Sequence, residues 1–206
     1  LEPLLQRAKA EKDPAAALLD LKVCDPACGS GHFLVAAAHR IAKALAQVRS
    51  GDDEPSPVAR REAMRDVVAR CLYGVDLSEM AVELCKVNLW LEAQAPDLPL
   101  AFLDAHVQQG NSLLGTTPEL VAAGIPDLAL EALLGDDKEF CKQLKKENKA
   151  RRQQGRTMFD LKGGASLGKR GDALLKGYLR AEQVADRSAG EVREKAMAYG
   201  EWAASE

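Results

Sequence analysis

The sequence has few aromatic residues and no long apolar run. Aromatic side chains make up 4% of its 206 residues, so alanine and leucine must form most of the core, and both residues favour helices. No apolar stretch approaches the ~20 residues that cross a bilayer, and charges are spread through residues 1–21, unlike in a signal peptide. With 47% apolar and 29% charged residues, the composition is that of a globular protein, which we expect in the cytoplasm without a membrane partner.

Cysteine is also scarce, and its number is odd. Four of the five cysteines lie in apolar surroundings, and Cys24 stands on a strand that we expect to be buried. These features are typical of reduced core thiols in a cytoplasmic protein. Cys24 and Cys28 are spaced as a metal-binding pair, but no second pair accompanies them, and His32, His39 and His106 are isolated from one another. We therefore expect packing roles for these residues and no metal site.

Strand and helix patterns alternate along the first half of the chain. Short apolar segments predict three strands, at residues 21–25, 72–76 and 102–111. Helical spacing of apolar residues predicts helices that begin near Ser30, Ser56 and Ser78. In the helix after Ser78 we expect the buried stripe to be Met80, Leu84, Val87 and Leu91. This alternation is typical of an α/β fold with a parallel, doubly wound sheet.

The first predicted strand runs into a turn of small residues that leads directly into a helix. The segment reads Asp-Pro-Ala-Cys-Gly-Ser-Gly-His-Phe over residues 25–33. Gly29 and Gly31 let the backbone approach a ligand closely and adopt dihedral angles that side chains forbid. Dinucleotide sites place such a turn against pyrophosphate, but Asp25 would repel an anion there and suits a cationic amino group. A glycine turn without a ligand is the alternative.

This nine-residue run resembles motif I of the amino-methylating DNA methyltransferases, most closely the fused restriction–modification enzymes and related phage-defence methylases. The resemblance covers about residues 21–115 and implies a Rossmann-like, S-adenosylmethionine-dependent core. It also implies methyl transfer to adenine N6 of double-stranded DNA. In that family the turn holds the methionine part of S-adenosylmethionine, which by resemblance assigns cofactor binding to Asp25, Ala27, Cys28, Gly29, Gly31 and Phe33.

Two further segments fit the same site. Asp76 ends the second predicted strand, where an acidic residue accepts hydrogen bonds from ribose hydroxyls. It follows Asp25 by 51 positions rather than the usual ~20, because a loop and a helix are inserted between Gly51 and Cys71. Asn111 follows the third strand, where the family contacts the cofactor adenine. A helix-capping Asp76 and an ordinary turn at Asn111 are the alternatives. The residues that the resemblance adds to the site are Asp76, Leu77, Asn111 and Ser112.

One motif of the family is absent from the sequence. The family orients the target amino group with Asn-Pro-Pro-aromatic, but none of the three asparagines precedes proline and no Pro-Pro occurs. We therefore identify no catalytic residue, and we expect that motif beyond Glu206, in a longer enzyme of which this chain is an inactive fragment. Cytosine-C5 methylation needs a cysteine nucleophile, which the enzymes of that class supply directly after a proline. No cysteine follows proline in this sequence, so we do not expect that reaction.

The charge balance changes in the second half of the chain. Residues 1–134 carry 12 basic and 19 acidic side chains, whereas residues 135–206 carry 16 and 12. Ten basic and two acidic residues lie in the basic tract, Lys142 to Arg170, which its glycines predict to be partly mobile. The tract either faces DNA phosphates or is a solvated linker. We expect three regions: a helical lead-in at 1–20, the methyltransferase core at 21–115, and a basic, mainly helical segment at 116–206.

Two other functions remain open at the level of sequence. A methyltransferase of the same fold that acts on another substrate would share the glycine turn and the acidic strand end, but not the whole nine-residue run. A DNA-holding module that uses no cofactor would need only the basic tract. Cofactor titration distinguishes these two alternatives.

Overall fold

The computed structural model describes residues 1–95, 98–114, 125–153 and 167–204. The helices within these ranges are α1 (Glu2–Lys9), α2 (Pro14–Leu19), α3 (His32–Ser50), α4 (Pro57–Arg70), α5 (Glu79–Glu92), α6 (Lys138–Gln153), α7 (Leu167–Gln183) and α8 (Ala189–Ala203). The strands are β1 (Val23–Asp25), β2 (Leu72–Asp76) and β3 (Val107–Gln109), and short 3-10 turns lie at Ser112–Leu114 and Asp127–Leu130. Among the described helices, none combines the length and apolar character that crossing a bilayer requires.

The three strands form one parallel sheet in the order β1-β2-β3. Asp25 of β1 pairs with Gly74, and Asp76 at the end of β2 pairs with Gln109. Parallel neighbours need a crossover connection, and α3 with α4 supplies the first crossover, while α5 supplies the second. The predicted α/β fold with a parallel sheet is confirmed for these three strands.

Three helices begin at the side-chain caps that the sequence contains. Asp13 accepts a hydrogen bond from the amide of Ala16, and Pro14 takes the first position of α2. Ser56 caps α4 in the same way, ahead of Pro57. Ser78 caps α5. A capped end satisfies amides that have no partner within the helix, and proline at the first position loses no hydrogen bond.

The core of the molecule lies between α3, α4 and the sheet. Leu34, Ile41 and Leu45 of α3 are buried and Val48 is partly exposed, and several alanines on the same helix are buried with them. Small side chains let α4 pack closely on α3, and Met64, Val67 and Val68 fill the contact. Trp90 packs at the edge of this core, where its indole donates a hydrogen bond of 2.8 Å to the carbonyl of Ala101.

The buried face of α5 differs from the prediction. All four residues of the predicted stripe are exposed, and Met80 and Leu91 are exposed by 69% and 60%. The residues that α5 buries are Val82, Cys85, Lys86 and Leu89. Because both sides of α5 carry apolar residues, spacing alone fitted either face. The face with Cys85 packs inward because Gly31 leaves room for the Cys85 thiol.

The third strand is also shorter than predicted. The carbonyl of Leu103 accepts hydrogen bonds from the amides of His106 and Val107, at 2.9 Å each. These bonds close a turn ahead of Val107 in place of an extended segment. The strand therefore occupies only the last part of the predicted range 102–111.

Cys24 is exposed, although the sequence predicts a buried position. Its strand pairs only with β2 among the described strands, so β1 is an edge strand there. Side chains alternate between the two faces of a sheet, and Cys24 lies on the opposite face from Val23 and Asp25. Cys28, Cys71 and Cys85 are buried thiols.

The chain divides into two compact units. The first contains Leu1–Leu114 together with Glu182–Tyr199, and the second contains Gly115–Ala181 together with Gly200–Glu206. The first unit thus includes a segment from late in the sequence, which we call the return segment, Glu182–Tyr199.

Two ion pairs attach the return segment to α4 within the first unit, one buried and one with its arginine 57% exposed. Arg65 is 2% exposed and donates to the carbonyl of Pro99 and to both the carboxylate and the carbonyl of Asp186. The buried carboxylate of Asp66 accepts two hydrogen bonds of 2.7 Å from Arg187. These pairs join residues that are 121 positions apart in the sequence.

Within the second unit, α6 packs against the 3-10 turn Asp127–Leu130. Asn148 is fully buried there and donates to the carbonyl of Ile125 and to the carboxylate of Asp127. The rings of Tyr178 and Trp202 meet edge to face. Residues 154–166 of the basic tract, where the sequence predicts a mobile part, lie outside the described residues.

Candidate functional site

The candidate site lies at the carboxyl edge of the sheet. The strands end there in Asp25, Asp76 and Gln109. The register pairs Asp76 with Gln109, and it pairs Asp25 with Gly74, two residues before Asp76. In open parallel sheets, ligands bind outside the carboxyl ends of the strands. Three sequence segments that are far apart in the chain therefore meet at one edge.

The turn after β1 is attached to β2 by two hydrogen bonds. The amide of Cys28 donates to the carbonyl of Val75 at 3.0 Å, and the amide of Gly29 donates to Oδ2 of Asp76 at 2.9 Å. A third bond, from the amide of Gly31 to the carbonyl of Cys28, closes the turn itself. The shape of the turn is therefore set by backbone groups and by one carboxylate of the neighbouring strand.

Both glycines of the turn have left-handed backbone conformations, with φ of +53° at Gly29 and +85° at Gly31. A Cβ at Gly31 would lie 2.7 Å from the sulfur of Cys85, which is too close for any side chain. A Cβ at Gly29 would meet no atom within 4 Å. Gly31 is thus required by packing, whereas Gly29 faces open space that a ligand can enter.

Asp76 holds two backbone amides with its two carboxylate oxygens. Oδ1 accepts from the amide of Ser78 and Oδ2 from the amide of Gly29, at 2.9 Å each. The Ser78 and Gly29 bonds lower the pKa of Asp76, because they favour the ionised form. An ionised carboxylate offers about four acceptor positions, so Asp76 can take hydroxyl donors as well. The structure thus gives Asp76 the capping role and leaves room for a ligand role.

The remaining polar predicted residues surround these groups. Oδ1 of Asp25 accepts from the amide of Ala27 at 3.1 Å, which fixes the carboxylate beside the turn. The hydroxyl of Ser112 donates to the carbonyl of Pro26 at 2.8 Å and so joins the loop after β3 to the turn after β1. Asn111 accepts from the amide of Leu113. Its side chain stabilises the local 3-10 turn and is exposed at the edge.

Three apolar predicted residues lie at different depths. Phe33 and Leu77 are 60% and 69% exposed, so they can offer apolar surface to a planar ligand. The Cys28 side chain, in contrast, is buried in the core, as is that of Cys85. Burial raises the pKa of Cys28, and it raises that of Cys85 to about 12. Neither thiol is a nucleophile at neutral pH.

Two residues that position the site were not predicted from the sequence. Asn88 on α5 donates to the carbonyl of Ser30 at 2.8 Å and connects α5 to the glycine turn. Gln109 donates to the carbonyl of Leu77 at 3.1 Å. The available signal for Asn88 was its place three residues after Cys85 in a helix whose other polar residues are charged. Within the described part of the chain, no cluster of histidine, cysteine or acidic residues could hold a metal ion.

The edge therefore combines a close backbone approach at Gly29, two fixed carboxylates and exposed apolar side chains. This combination suits a small molecule with a positive charge, hydroxyl groups and a planar apolar part. Fold and geometry together define an α/β protein with a candidate ligand site at its strand ends.

Comparison with known families gives the class of protein. Residues 5–113, which are more than half of the chain, match the family described as MmeI, DNA-methyltransferase domain. The chain belongs to this family. The match includes the whole of the sheet and every residue of the candidate site.

Curated relatives are restriction–modification methyltransferases. A protein of Methanocaldococcus jannaschii named as a type II restriction enzyme and methyltransferase is 31% identical over 108 residues, which are 48% of this chain and 9% of the relative. The type II restriction enzyme and methyltransferase Eco57I of Escherichia coli is 30% identical over 47% of this chain and 11% of its own length. The adenine-specific methyltransferase PglX of Streptomyces coelicolor is 34% identical over 37% of this chain and 6% of its own.

The matched part of this chain thus spans about a tenth or less of each relative. No solved structure is significantly similar to the chain.

Proposed function

We propose that this chain forms the S-adenosylmethionine-binding part of a DNA methyltransferase with a Rossmann-like core, which methylates adenine N6 in double-stranded DNA. The enzyme would act in the cytoplasm, in a restriction–modification or phage-defence system. One observation carries the proposal. The glycine turn of the nine-residue run is hydrogen-bonded through Gly29 to Asp76, so the two segments that resemble the family's cofactor motifs form one site.

The residues at this edge fit S-adenosylmethionine. Asp25 faces the turn with a fixed carboxylate, which suits the cationic amino group of the methionine part. Asp76 retains acceptor positions for the ribose hydroxyls, and Leu77 is exposed next to it for contact with the adenine ring. Gly29 leaves open the space that a side chain would fill. The bound cofactor supplies the methyl group, and these residues hold and orient it.

The name of one relative supports adenine as the target. PglX is described as adenine-specific, and its match covers 37% of this chain. Adenine N6 transfer also requires a group that orients the target amine, and Asn-Pro-Pro-aromatic does not occur in the 206 residues. We therefore propose that the chain contributes the cofactor site, while a longer enzyme supplies the residues that hold the base.

Cofactor titration and methyl transfer test the proposal together. We expect the 206-residue chain to bind S-adenosylmethionine weakly in calorimetry, with a dissociation constant above the micromolar range, because the exposed side chains of Phe33 and Leu77 leave the ligand partly solvated. With duplex DNA and labelled cofactor, we expect no transfer by this chain alone. A longer enzyme that contains it should yield N6-methyladenine in nucleoside mass spectrometry, and a 5-methylcytosine product would refute the proposal.

A further inference from the structure

The buried face of α6 fixes how this helix presents its basic side chains. Cys141, Leu144 and Asn148 follow one another at spacings of three and four residues and point inward. The fully buried Asn148 is held by two hydrogen bonds, to the carbonyl of Ile125 and to the carboxylate of Asp127. A buried amide with two partners does not leave its position without losing both bonds. The helix is therefore held in one rotation about its axis.

This rotation leaves a row of lysines on the surface, which we call the lysine face: Lys142, Lys146 and Lys149. The three positions follow the spacing i, i+4, i+7, so they lie on one side of the helix. All three are exposed. Lys142 pairs with Glu139 at 2.9 Å on a highly exposed surface, and within the described residues no acidic group pairs with Lys146 or Lys149.

Among the described residues, an acidic partner reaches only Lys142 of the lysine face. The sequence of α6 holds seven basic and two acidic residues. Lys145 is turned aside and pairs with Glu131 at 3.1 Å, and Glu147 accepts a hydrogen bond from Gln143. Lys142 and Lys146 are four residues apart, and like charges at this spacing destabilise a helix. An anionic partner that covers Lys146 and Lys149 would offset this repulsion.

We propose that the lysine face contacts the phosphodiester backbone of double-stranded DNA. The inference rests on the proposed function, because it takes its partner from there, and it adds a surface that the cofactor site does not include. From Lys142 to Lys149 the helix rises by about 10 Å. One DNA strand presents a phosphate every ~3.4 Å along the axis, so a helix that lies along the strand spans about three phosphate steps. Lysine contacts to phosphate hold DNA without reading its sequence.

The salt dependence of DNA binding tests this surface. The 206-residue chain is titrated with a duplex of arbitrary sequence between 50 and 200 mM salt, as wild type and as Lys142→Ala/Lys146→Ala/Lys149→Ala. Each phosphate contact contributes about 0.9 to the slope of log affinity against log salt. We expect the variant to lower the slope by about 2 to 3, and to weaken binding at low salt by at least tenfold. Replacing the three lysines by arginine should preserve the slope.

The matched control removes the same charge elsewhere. Lys12→Ala/Arg40→Ala/Lys43→Ala changes three exposed basic residues of the first unit, and its slope should equal that of the wild type. An unchanged slope in the α6 variant would overturn the proposal. An equal loss of slope in both triple variants would also overturn it, because that result would depend on net charge alone. An absence of DNA binding by the wild-type chain would overturn it as well. Cofactor titration in the same samples tests the proposed function separately.

Discussion

The glycine turn and the return segment Glu182–Tyr199 belong to the same unit but are held in different ways. Backbone amides fix the turn, and the carboxylate of Asp76 on the neighbouring strand receives one of them. Side-chain ion pairs of the buried residues Arg65 and Asp66 fix the return segment. The candidate site is thus held mainly by hydrogen bonds of backbone amides, whereas the return segment of the same unit depends on pairing between charged side chains.

The largest loss of stability is expected when the buried ion pair between Arg65 and Asp186 is broken. Replacing Arg65 by alanine leaves the carboxylate of Asp186 almost buried and without its arginine. Removing one partner of a buried ion pair costs about 3–5 kcal/mol, so we expect a loss of about 4 kcal/mol in the free energy of unfolding measured with urea. Hydrogen exchange should show the return segment losing protection, while the amides of Cys28 and Gly29 keep theirs.

An exposed ion pair provides the control for this variant. Arg60 and Glu54 pair at the surface, with both side chains about half exposed or more. Arg60→Ala should therefore cost less than about 1 kcal/mol. Similar losses for Arg60→Ala and Arg65→Ala would contradict the claim that buried charges hold the return segment.

Substitutions at Gly31 and Gly29 test how the glycine turn is held. Gly31→Ala places a Cβ against the sulfur of Cys85 at a positive φ. Strain at this φ and overpacking together should cost about 3 kcal/mol in urea unfolding. Gly29→Ala has a similar φ but no close neighbour, so it should cost about 1 kcal/mol and should instead weaken cofactor binding. Equal destabilisation by both variants would contradict the packing role of Gly31.

The pH dependence of the return segment gives a smaller effect. Burial acts to raise the pKa of Glu182, but the hydrogen bond with His106 and the attraction of His106 and Lys195 outweigh it, so the pKa lies below its ordinary value of 4.5. The ionised Glu182 therefore stabilises the fold above pH 4.5, and this contribution is lost as the pH falls through the lowered pKa. At pH 7, Glu182→Gln should cost about 1.5 kcal/mol.

Urea unfolding at several pH values checks this sign. The difference between wild type and Glu182→Gln should shrink below about pH 4.5. Glu194→Gln, at an exposed position of α8, serves as the control and should change stability little at any pH. A difference that grows toward acid pH would show that the carboxylate does not stabilise the return segment.

The smallest effect concerns ligand affinity rather than stability. Asp76→Ala removes the acceptor that we assign to the ribose hydroxyls and also frees the amide of Gly29. We expect S-adenosylmethionine binding to weaken by about fivefold or more in calorimetry. Asp52→Ala, in the exposed loop after α3, should leave binding unchanged. Equal affinity of the two variants for S-adenosylmethionine would show that Asp76 does not contribute to cofactor binding.

The sequence was informative wherever neighbouring residues decide the structure. The strand 72–76 has the observed limits, and α4 and α5 begin at Ser56 and Ser78, as predicted. The glycine turn was recognised because its residue types are demanded by φ angles within the turn itself. The cofactor role of these residues stays a prediction.

Only the tertiary structure decided which face of α5 is buried, why Cys24 is exposed and where the return segment is attached. Helical spacing fitted both faces of α5, and packing of Cys85 against Gly31 selected the face opposite to the one predicted. Cys24 is exposed on a strand that pairs only with β2 among the described strands, and a strand pattern does not encode that position. The attachment of Glu182–Tyr199 depends on Arg65 and Asp66 meeting partners 121 positions away. Propensity and capping act within a few residues, whereas burial and ion pairing depend on which distant segments the folded chain brings together.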